Sequence, residues 1–404
     1  MAYILEVQYF NSFVIKGPSD AYHIEESRIR GGFNDQSVDL GVRAHTTDNN
    51  YSLETRESSM IHSGIYNSRT RVNNLNSFSV AEDISTSVDI INGSIQFLFA
   101  EDTNLNIFQE EKVSYSLIDK DVIYTAEGGR ITTQSDRVFG EIQSYAGSYG
   151  IGKNPESFAY FAGRKYFADK PKGLFMRLSR DGMTEISNYG MRSFTRDNIQ
   201  DATIIQGAFD MYEKRYVVSV NRPANSFTMA FDEGVKGWVS FYDFITDEGM
   251  ASIDTKFFSF KQGDVWRHYM NTNNANFYGV QYEPYVDIIL NTDVSGDKNF
   301  LSLTYEGDPV WKATNISTDQ DTAYDVAEFD IANQDVIISG FKKHNNKLHA
   351  NIINNSSAKP NEVLFGADVA GIKGYYLKTR LTSTDTDGIK TLFSVSSRYN
   401  TNHY

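Results

Sequence analysis

Residues 150–186 decide the fold, and they read GIGKNPESFAYFAGRKYFADKPKGLFMRLSRDGMTEI. Four short apolar runs lie in this stretch, at residues 158–162, 166–168, 174–178 and 183–186. The segments between the runs are rich in Gly, Asp and Pro. Gly and Asp tolerate a positive φ, and Pro fixes the first corner of a type I or type II turn. The stretch therefore consists of short elements joined by tight turns.

The third of these runs has the periodicity of a β-strand. Leu174, Met176 and Leu178 alternate with Phe175 and Arg177, and a period of two residues is typical of a strand. We therefore predict a four-stranded antiparallel meander over residues 158–186. Because such a sheet must bury one face, we expect a neighbouring sheet of the same kind.

Similar hairpins recur along the chain at irregular spacing. Aromatic runs with turn residues between them lie at residues 216–220, 227–231 and 238–244, and shorter pairs lie at 105–108 with 113–118 and at 257–260 with 265–269. The irregular spacing excludes a repeat that can be counted from the sequence. Trp238 and Trp266 each follow a Gly-containing turn, and we predict that both are buried anchors of equivalent hairpins. One short helix is expected over residues 198–206.

The composition favours β structure. Of the 404 residues, 14% are aromatic, 40% are hydrophobic and none is cysteine. Aromatic side chains fit a pleated, half-buried surface. The absence of cysteine excludes disulfides, thiol catalysis, Cys-ligated zinc and iron–sulfur clusters. Residues 1–17 lack the pattern of a signal peptide, and no apolar run is long enough to span a bilayer, so we expect a protein made in a cytosol without membrane insertion.

The charge balance argues against a nucleic-acid-binding protein. The formal net charge is −14, and the isoelectric point is near 5.0. Proteins that bind phosphate backbones are normally basic, so we expect no specific nucleic-acid binding, although an acidic surface would let DNA pass without sticking. Basic residues cluster early and again in the central stretch: Arg28, Arg30 and Arg43, then Arg164, Lys165, Lys170 and Lys172. We interpret both clusters as solvated turns and strand edges, with nucleic-acid binding through the early arginines as the weaker alternative.

These patterns together predict an all-β protein. We expect a β-propeller-like array of antiparallel meanders with an extended N-terminal arm and a C-terminal β region. The N-terminal strand and arm are placed at residues 1–60, the propeller-like body at 61–290 and the C-terminal β region at 291–404. The last boundary depends on the polar break NTDVSGDKN at residues 291–299. The C-terminal region is predicted to be either the last part of the same architecture or a small sandwich.

The arm, residues 18–60, has scattered apolar residues but too few to form a core. A segment of this kind gains stability by laying its side chains against a partner. We therefore predict that Arg28, Arg30, Phe33 and Arg43 bind a partner, with the arginines pairing with carboxylates and setting the register. The arm would be extended and would fasten the subunit to its neighbours.

The sequence contains no catalytic or cofactor-binding motif that we recognise. The seven histidines form no His-Glu-x-x-His pair, and the Gly-x-Ser-x-Gly, Walker and dinucleotide-binding glycine patterns are absent. Asp169 with Asp181, or Asp232 with Glu233, could form a glycosidase pair, but all four lie in predicted turns, where acidic residues usually bind the backbone. Residues 385–388 resemble the start of a calcium loop without its final Glu, so a turn is the better interpretation. We expect a non-enzymatic protein with no cofactor and no metal.

Five long segments share a pattern with one family of proteins. They are RIRGGFNDQSVDLGVRA at 28–44, HSGIYNSRTRVNNLNSFSVAEDI at 62–84, LFAEDTNLNIFQEEKVSYSLIDKDVIYTAEGG at 98–129, GIGKNPESFAYFAGRKYFADKPKGLFMRLSRDGMTEIS at 150–187 and TMAFDEGVKGWVSFYDF at 228–244. The chain resembles virion proteins of tailed phages. Such proteins occur in T4-like marine cyanophages, and related segments occur in the muzzle or nozzle proteins of crAss-like phages. The resemblance covers residues 3–290, whereas residues 300–404 match loosely, through GYYLKTRL and LFSVSSRY.

The resemblance implies a structural component of the virion tail that is β-propeller-like and carries no catalytic residues. Such a protein would assemble in the host cytoplasm, in several copies, with other virion tail proteins. We expect a homo-oligomeric ring at a nozzle, neck or baseplate. The alternative is a host-receptor or glycan-binding tail protein, including a depolymerase, because Tyr and Trp stack well on sugar faces. Aromatic residues in alternating strands are more often part of a core, so we favour the structural role.

Overall fold

The computed structural model of the protein describes residues 12–16, 22–26, 55–78, 84–102, 104–124, 130–319, 340–354, 369–383 and 385–401. The chain divides into two compact units. The first unit comprises residues 1–255 with 260–263, and the second comprises residues 256–259 with 264–404. Antiparallel strands dominate the described part of both units, so the prediction of an all-β protein is confirmed.

Six short strands come first in the first unit. They are β1 (Ser12–Lys16), β2 (Tyr22–Glu26), β3 (Ser59–Ile61), β4 (Tyr66–Asn67), β5 (Val72–Asn73) and β6 (Ser85–Ser87). Strand β1 pairs with β2, β3 pairs with β6, and β4 pairs with β5 in a hairpin between β3 and β6. Part of the predicted arm therefore lies in the β1–β2 ladder. The predicted partner-binding residues lie outside the described residues: Arg28, Arg30, Phe33 and Arg43.

Three four-stranded antiparallel sheets follow in the first unit, each with its strands in chain order. The first sheet contains β7 (Ile95–Glu101), β8 (Asn104–Gln109), β9 (Val113–Tyr124) and β10 (Arg130–Ser144). The second contains β11 (Ala159–Phe161), β12 (Arg164–Asp169), β13 (Leu174–Ser179) and β14 (Gly182–Glu185). The third contains β15 (Ile204–Asp210), β16 (Arg215–Asn221), β17 (Phe227–Asp232) and β18 (Gly237–Tyr242). The meander predicted over residues 158–186 is confirmed as the second sheet.

The second sheet buries both of its faces rather than one. On β13, Met176 and Leu178 belong to a buried cluster that includes Phe108 of the first sheet. Phe175, which points to the opposite face, belongs to a cluster that includes Tyr216 of the third sheet. Because side chains alternate across a strand, one apolar run supplies two cores. The second sheet is thus packed between the first and the third.

An α-helix, α1 (Arg192–Ile199), lies between the second and third sheets in the chain. The helix predicted over residues 198–206 was therefore placed too late, because residues 204–206 begin strand β15. Thr195 and Ile199, four residues apart, are its buried positions. Met191 precedes the helix and makes no side-chain capping bond, so the sequence lacks the usual start signal.

Strands β19 (Met250–Ile253), β20 (Lys256–Lys261) and β21 (Asp264–Arg267) lie where the chain leaves the first unit. The second unit continues with β22 (Asn276–Phe277), β23 (Val280–Gln281), β24 (Tyr285–Leu290), β25 (Lys298–Gly307), β26 (Trp311–Thr318), β27 (Lys342–His344) and β28 (Lys347–Asn351). It ends with β29 (Ile353–Asn354), β30 (Val369–Ala370), β31 (Ile372–Gly374), β32 (Leu377–Ser383) and β33 (Leu392–Thr401).

Two sheets of the second unit share one core. One sheet has the order β24-β32-β26, and the other is built around β25, which pairs with β28, β31 and β33. Leu303 of β25, Ile316 of β26 and Leu381 of β32 belong to the same buried cluster. Two sheets that bury a common set of side chains are arranged as in a small sandwich. The polar break at residues 291–299 connects β24 with β25 inside this unit.

The tryptophan prediction needs correction. Trp238 is half-buried, and its Nε1 donates to the Ile186 carbonyl oxygen at 3.1 Å. Trp266 is also half-buried and contacts Tyr278. The third tryptophan, Trp311, is the one within a core, 9% exposed. Trp238 packs against the buried cluster between the second and third sheets.

Candidate functional site

Charged side chains join the first and second sheets. Lys165 of β12 is 4% exposed, and its Nζ forms an ion pair with Glu101 of β7. The Tyr160 hydroxyl donates to the same carboxylate at 3.3 Å. The Lys165 Nζ also lies 5.9 Å from the ring centroid of Phe99. A nearly buried ammonium needs such compensation, because its desolvation is costly.

A second group of polar side chains joins the second and third sheets. The Arg177 Nη1 donates to both carboxylate oxygens of Glu233, at 3.2 and 3.0 Å. The Tyr166 hydroxyl donates to Glu233 Oε1 at 2.9 Å. Burial, together with the neighbouring Glu233 charge, raises the pKa of Tyr166 well above its usual value. The phenol therefore stays neutral and keeps donating to the carboxylate.

A cleft of ≈ 430 Å³ lies beside the second sheet and helix α1. Its lining side chains come from the loop before β11, the β12–β13 turn, β13, the end of β14 and α1. They are Ser148, Tyr149, Lys172, Leu174, Glu185, Arg192 and Arg196. This is the candidate functional site, because three cationic side chains converge on a single concave surface.

A buried carboxylate positions one side of the cleft. Asp169, 1% exposed, accepts from the backbone N of Gly150 at 3.2 Å and from the Lys172 Nζ at 3.1 Å. The Lys172 Nζ also donates to the Ser148 carbonyl oxygen. Burial raises the pKa of Asp169, and the adjacent Lys172 ammonium opposes that rise. Asp169 thus fixes the turn and the preceding loop against each other.

Tyr149 and Glu185 form the floor of the cleft. The Tyr149 hydroxyl donates to Glu185 Oε1, and the Asn188 Nδ2 donates to Glu185 Oε2 at 2.7 Å. The hydrogen bond to Glu185 is the main reason that the pKa of Tyr149 is raised. The Lys172 Nζ lies 5.3 Å from the Tyr149 ring centroid, within cation–π range. Both oxygens of the one carboxylate in the cleft are therefore engaged within the protein.

Helix α1 supplies the remaining cations. Arg192 and Arg196 are four residues apart, on one face of the helix. Arg196 also pairs with exposed Asp197, its Nε lying 2.7 Å from Oδ1. Gly173 allows the β12–β13 turn to approach the helix: its φ is +69°, and a Cβ there would lie 2.7 Å from the Arg196 Cα. Only glycine fits this conformation and this distance.

The arrangement is suited to holding an anion. Lys172, Arg192 and Arg196 contribute positive charge, although Lys172 also pairs with Asp169 and Arg196 with Asp197. The lining carboxylate, Glu185, keeps its charge, but both of its oxygens accept hydrogen bonds from within the protein. Arginine matches carboxylate and phosphate geometry with paired donors. The aromatic ring of Tyr149 offers an apolar surface beside the charges. These groups can bind and orient an acidic ligand.

The carboxylate pairs considered for a glycosidase all have structural contacts. Asp169 binds Gly150 and Lys172, and Glu233 is held by Arg177 and Tyr166. Asp181 accepts from Arg177 and from Ser179 in its own turn. Asp232 accepts from the backbone N of Gly234 at 2.7 Å. The prediction that all four lie in turns is right for Asp181 and Glu233. It is wrong for Asp169 and Asp232, which are the last residues of strands β12 and β17.

The central basic cluster does not form one surface. Lys165 turns inward to Glu101, whereas Lys172 lies in the cleft. In residues 385–388, Asp385 accepts from the Asp387 N at 3.0 Å and pairs with Lys390 at 2.8 Å. Asp387 also forms an isolated antiparallel β-bridge with Asn273. No group of three or more His, Asp or Glu side chains that could hold a metal occurs among the described residues.

Sequence reasoning missed five residues of the cleft: Ser148, Tyr149, Glu185, Arg192 and Arg196. The two arginines stand at i and i+4, a signal that becomes meaningful once a helix is placed over them. The helix was predicted several residues too late, so this signal was not used. Tyr149 and Glu185 are 36 residues apart, and nothing in their local sequence indicates their contact.

The chain matches no protein-family model and no curated protein. In the part of the chain that the structure describes, no helix is both long enough and apolar enough to span a bilayer.

Proposed function

We propose that the protein is a non-enzymatic structural component of a bacteriophage virion tail apparatus, at a nozzle, neck or baseplate. It would assemble in several copies with other virion tail proteins and take its place in the tail after assembly in the host cytoplasm. The sequence segments that resemble tailed-phage virion proteins support this role, and segments 62–84, 150–187 and 228–244 contribute strands to the first unit.

The observation that carries the proposal is the way the sheets are tied together. Two ion pairs, buried Lys165 with Glu101 and half-buried Arg177 with Glu233, connect one sheet to the next. These charged groups hold neighbouring sheets together, which suits a structural subunit better than a catalyst. Breaking such a pair leaves an uncompensated charge, so the sheets resist separation.

We further propose that the three stacked meanders are blades of a propeller-like array. A four-stranded antiparallel meander that packs face to face on its neighbours is the repeating part of a β-propeller. Such folds have typically about four to eight blades, so closure would need further sheets. The arm residues Arg28, Arg30, Phe33 and Arg43 would contact neighbouring virion proteins.

The proposal is tested by mass spectrometry of purified particles of the virus that encodes the chain. We expect the protein to be present in intact particles, in several copies per particle, and to stay with isolated tails. Its absence from purified particles, with abundant protein in the infected cell, would contradict the proposal.

A second candidate function is host-receptor or glycan binding, and the cleft favours it. Three cations beside Tyr149 would suit an acidic sugar. Calorimetric titration with a hexuronate tests this candidate. Binding by the native chain should be lost in the variant Arg192→Ala/Arg196→Ala and kept in Arg180→Ala, which changes an exposed arginine outside the cleft. Equal binding by all three proteins, or none by the native chain, would exclude this use of the cleft.

A further inference from the structure

The 61–78 hairpin, residues 61–78 with strands β4 and β5, exposes apolar side chains. Ile65 is 72% exposed and Leu75 is 55% exposed. Ile61, Tyr66 and Val72 are exposed as well, so five large apolar residues face solvent within one short segment. The register pairs Tyr66 with Asn73 and Asn67 with Val72, so Tyr66 and Val72 lie on opposite faces of the hairpin. Both faces therefore present apolar side chains. Single exposed apolar residues are ordinary on a protein surface, whereas their concentration in one segment marks an interaction site.

The hairpin is held by its own backbone. Strands β4 and β5 pair with each other, and two further bonds run from the Gly64 N to the Ser77 oxygen and from the Asn74 N to the Ile65 oxygen. The Asn67 side chain accepts from the Arg69 N at 3.0 Å and fixes the turn. A two-stranded hairpin is only marginally stable by itself in water. Its exposed side chains therefore gain most from a partner surface.

The charge of the hairpin indicates which partner fits. Arg69 and Arg71 are the charged residues of segment 61–78, at its turn, in a chain whose net charge is −14. Both side chains are exposed. A basic turn flanked by apolar side chains complements an acidic surface that has apolar patches, and the remainder of the same chain is acidic.

We propose that the 61–78 hairpin of one molecule docks on an acidic surface of a second copy of this chain. The inference rests on the proposed assembly in several copies. A hairpin that binds a different surface on the next copy makes a head-to-tail contact, and such contacts generate rings when the rotation closes. Apolar side chains would supply affinity, and the two arginines would set orientation and speed association.

Sedimentation velocity of the full-length chain over a range of concentrations tests the proposal. We expect concentration-dependent self-association that weakens at high salt, because the arginine contacts are screened. The variants Ile65→Ser/Tyr66→Ser and Arg69→Glu/Arg71→Glu should each raise the dissociation constant about tenfold or more. All four side chains lie at the surface of the monomer, so circular dichroism and the melting temperature should stay unchanged.

Two matched controls make the same chemical changes elsewhere. Val235→Ser removes an apolar side chain that is 69% exposed, and Arg180→Glu reverses an exposed charge. Both should retain the dissociation constant of the native chain. A monomeric native chain at every concentration, or controls that weaken association as much as the hairpin variants, would overturn the proposal.

A photoreactive residue at position 66 separates this inference from the proposed function. In the purified chain and in particles, we expect cross-linked products with the mass of two copies. If the protein is present in particles but position 66 cross-links to a different virion protein, the docking proposal is overturned while the structural role stands. If the protein is absent from particles, the structural role itself fails.

Discussion

Arg177 of the second sheet and Glu233, next to the third, form an ion pair in which Nη1 lies 3.0 Å from Oε2. The two residues are 56 positions apart in the chain. The Arg177 Nη2 also reaches Asp181, in the next turn of its own sheet, at 3.0 Å. The Arg177 guanidinium therefore makes one contact within its own sheet and one contact between sheets. The Tyr166 hydroxyl donates to the same Glu233 carboxylate.

Removing the carboxylate of Glu233 should destabilise the first unit. In Glu233→Gln, the Arg177 guanidinium, 13% exposed, loses its charged partner on the third sheet. Hydrogen bonds to charged groups contribute about 1.5–3 kcal/mol, and we expect a loss of that size in the free energy of unfolding from urea titration. Asp181→Asn is the matched control, because Asp181 binds the same guanidinium but is 68% exposed. The control should lower the free energy of unfolding by about 0.5 kcal/mol or less. Equal losses in the two variants would contradict a stabilising role for the pair between the sheets.

Replacing Gly173 by alanine should displace helix α1. The positive φ strains any other residue by about 1 kcal/mol, and the new Cβ would clash with the backbone of Arg196. Gly182→Ala separates the two effects, since Gly182 has a φ of +97° and no atom near its Cβ position. We expect Gly173→Ala to lower the free energy of unfolding by at least about 1 kcal/mol more than Gly182→Ala. Identical losses would mean that the turn and the helix are not in close contact.

His268 predicts a pH dependence for the second unit. Burial lowers the pKa of His268 from 6.5 to about 4. The unfolded chain then binds more protons than the folded chain between those values, so stability rises as pH increases from about 4 to about 6.5 and falls on acidification. One proton corresponds to about 1.4 kcal/mol per pH unit at most.

Urea titrations at several pH values check the His268 prediction. His268→Gln should flatten the slope between pH 4 and 6.5 relative to the native chain. Ser259→Ala is the control, because it removes the hydroxyl 2.7 Å from the His268 Nε2 but leaves the imidazole in place. The control should keep the slope, since burial is the cause of the shift. An unchanged slope in His268→Gln would refute the assignment.

The arm prediction is tested by its four proposed partner-binding residues. A variant with Arg28, Arg30 and Arg43 changed to Glu and Phe33 changed to Ser should fold, because the sheets of the first unit have cores of their own. We expect native circular dichroism but failure to complement a deletion of the gene in particle assembly. Arg180→Glu, far along the chain, should complement normally. Normal assembly by the arm variant, or loss of its fold, would contradict the role of the arm.

Local sequence patterns predicted the strands well, but they could not predict contacts between residues that are distant in the sequence. The alternation of Leu174, Phe175 and Met176 identified β13, because a strand presents successive side chains to opposite faces. This alternation does not show that both faces of β13 are buried, because the burial depends on two other sheets formed by distant parts of the chain. Trp311 was overlooked as an anchor for the same reason, as its core forms between two sheets.

The cleft was still harder to foresee. Its lining comes from five separate segments, and Tyr149 meets Glu185 only because the second sheet brings the end of β14 beside the loop before β11. Gly173 indicated a turn in the sequence. Its close approach to α1 could not be predicted, because this contact depends on the position of the helix. Composition and periodicity are sufficient to predict the all-β class. A site formed by packing between separate elements, such as the cleft, is visible only in the structure.

A cryo-EM reconstruction of intact particles tests the central claim most directly. We predict that the first unit, recognised by its three stacked four-stranded meanders, occupies several equivalent positions around the tail axis. Finding no density for this unit in the tail, in particles from which the protein is also absent by mass spectrometry, would contradict the claim.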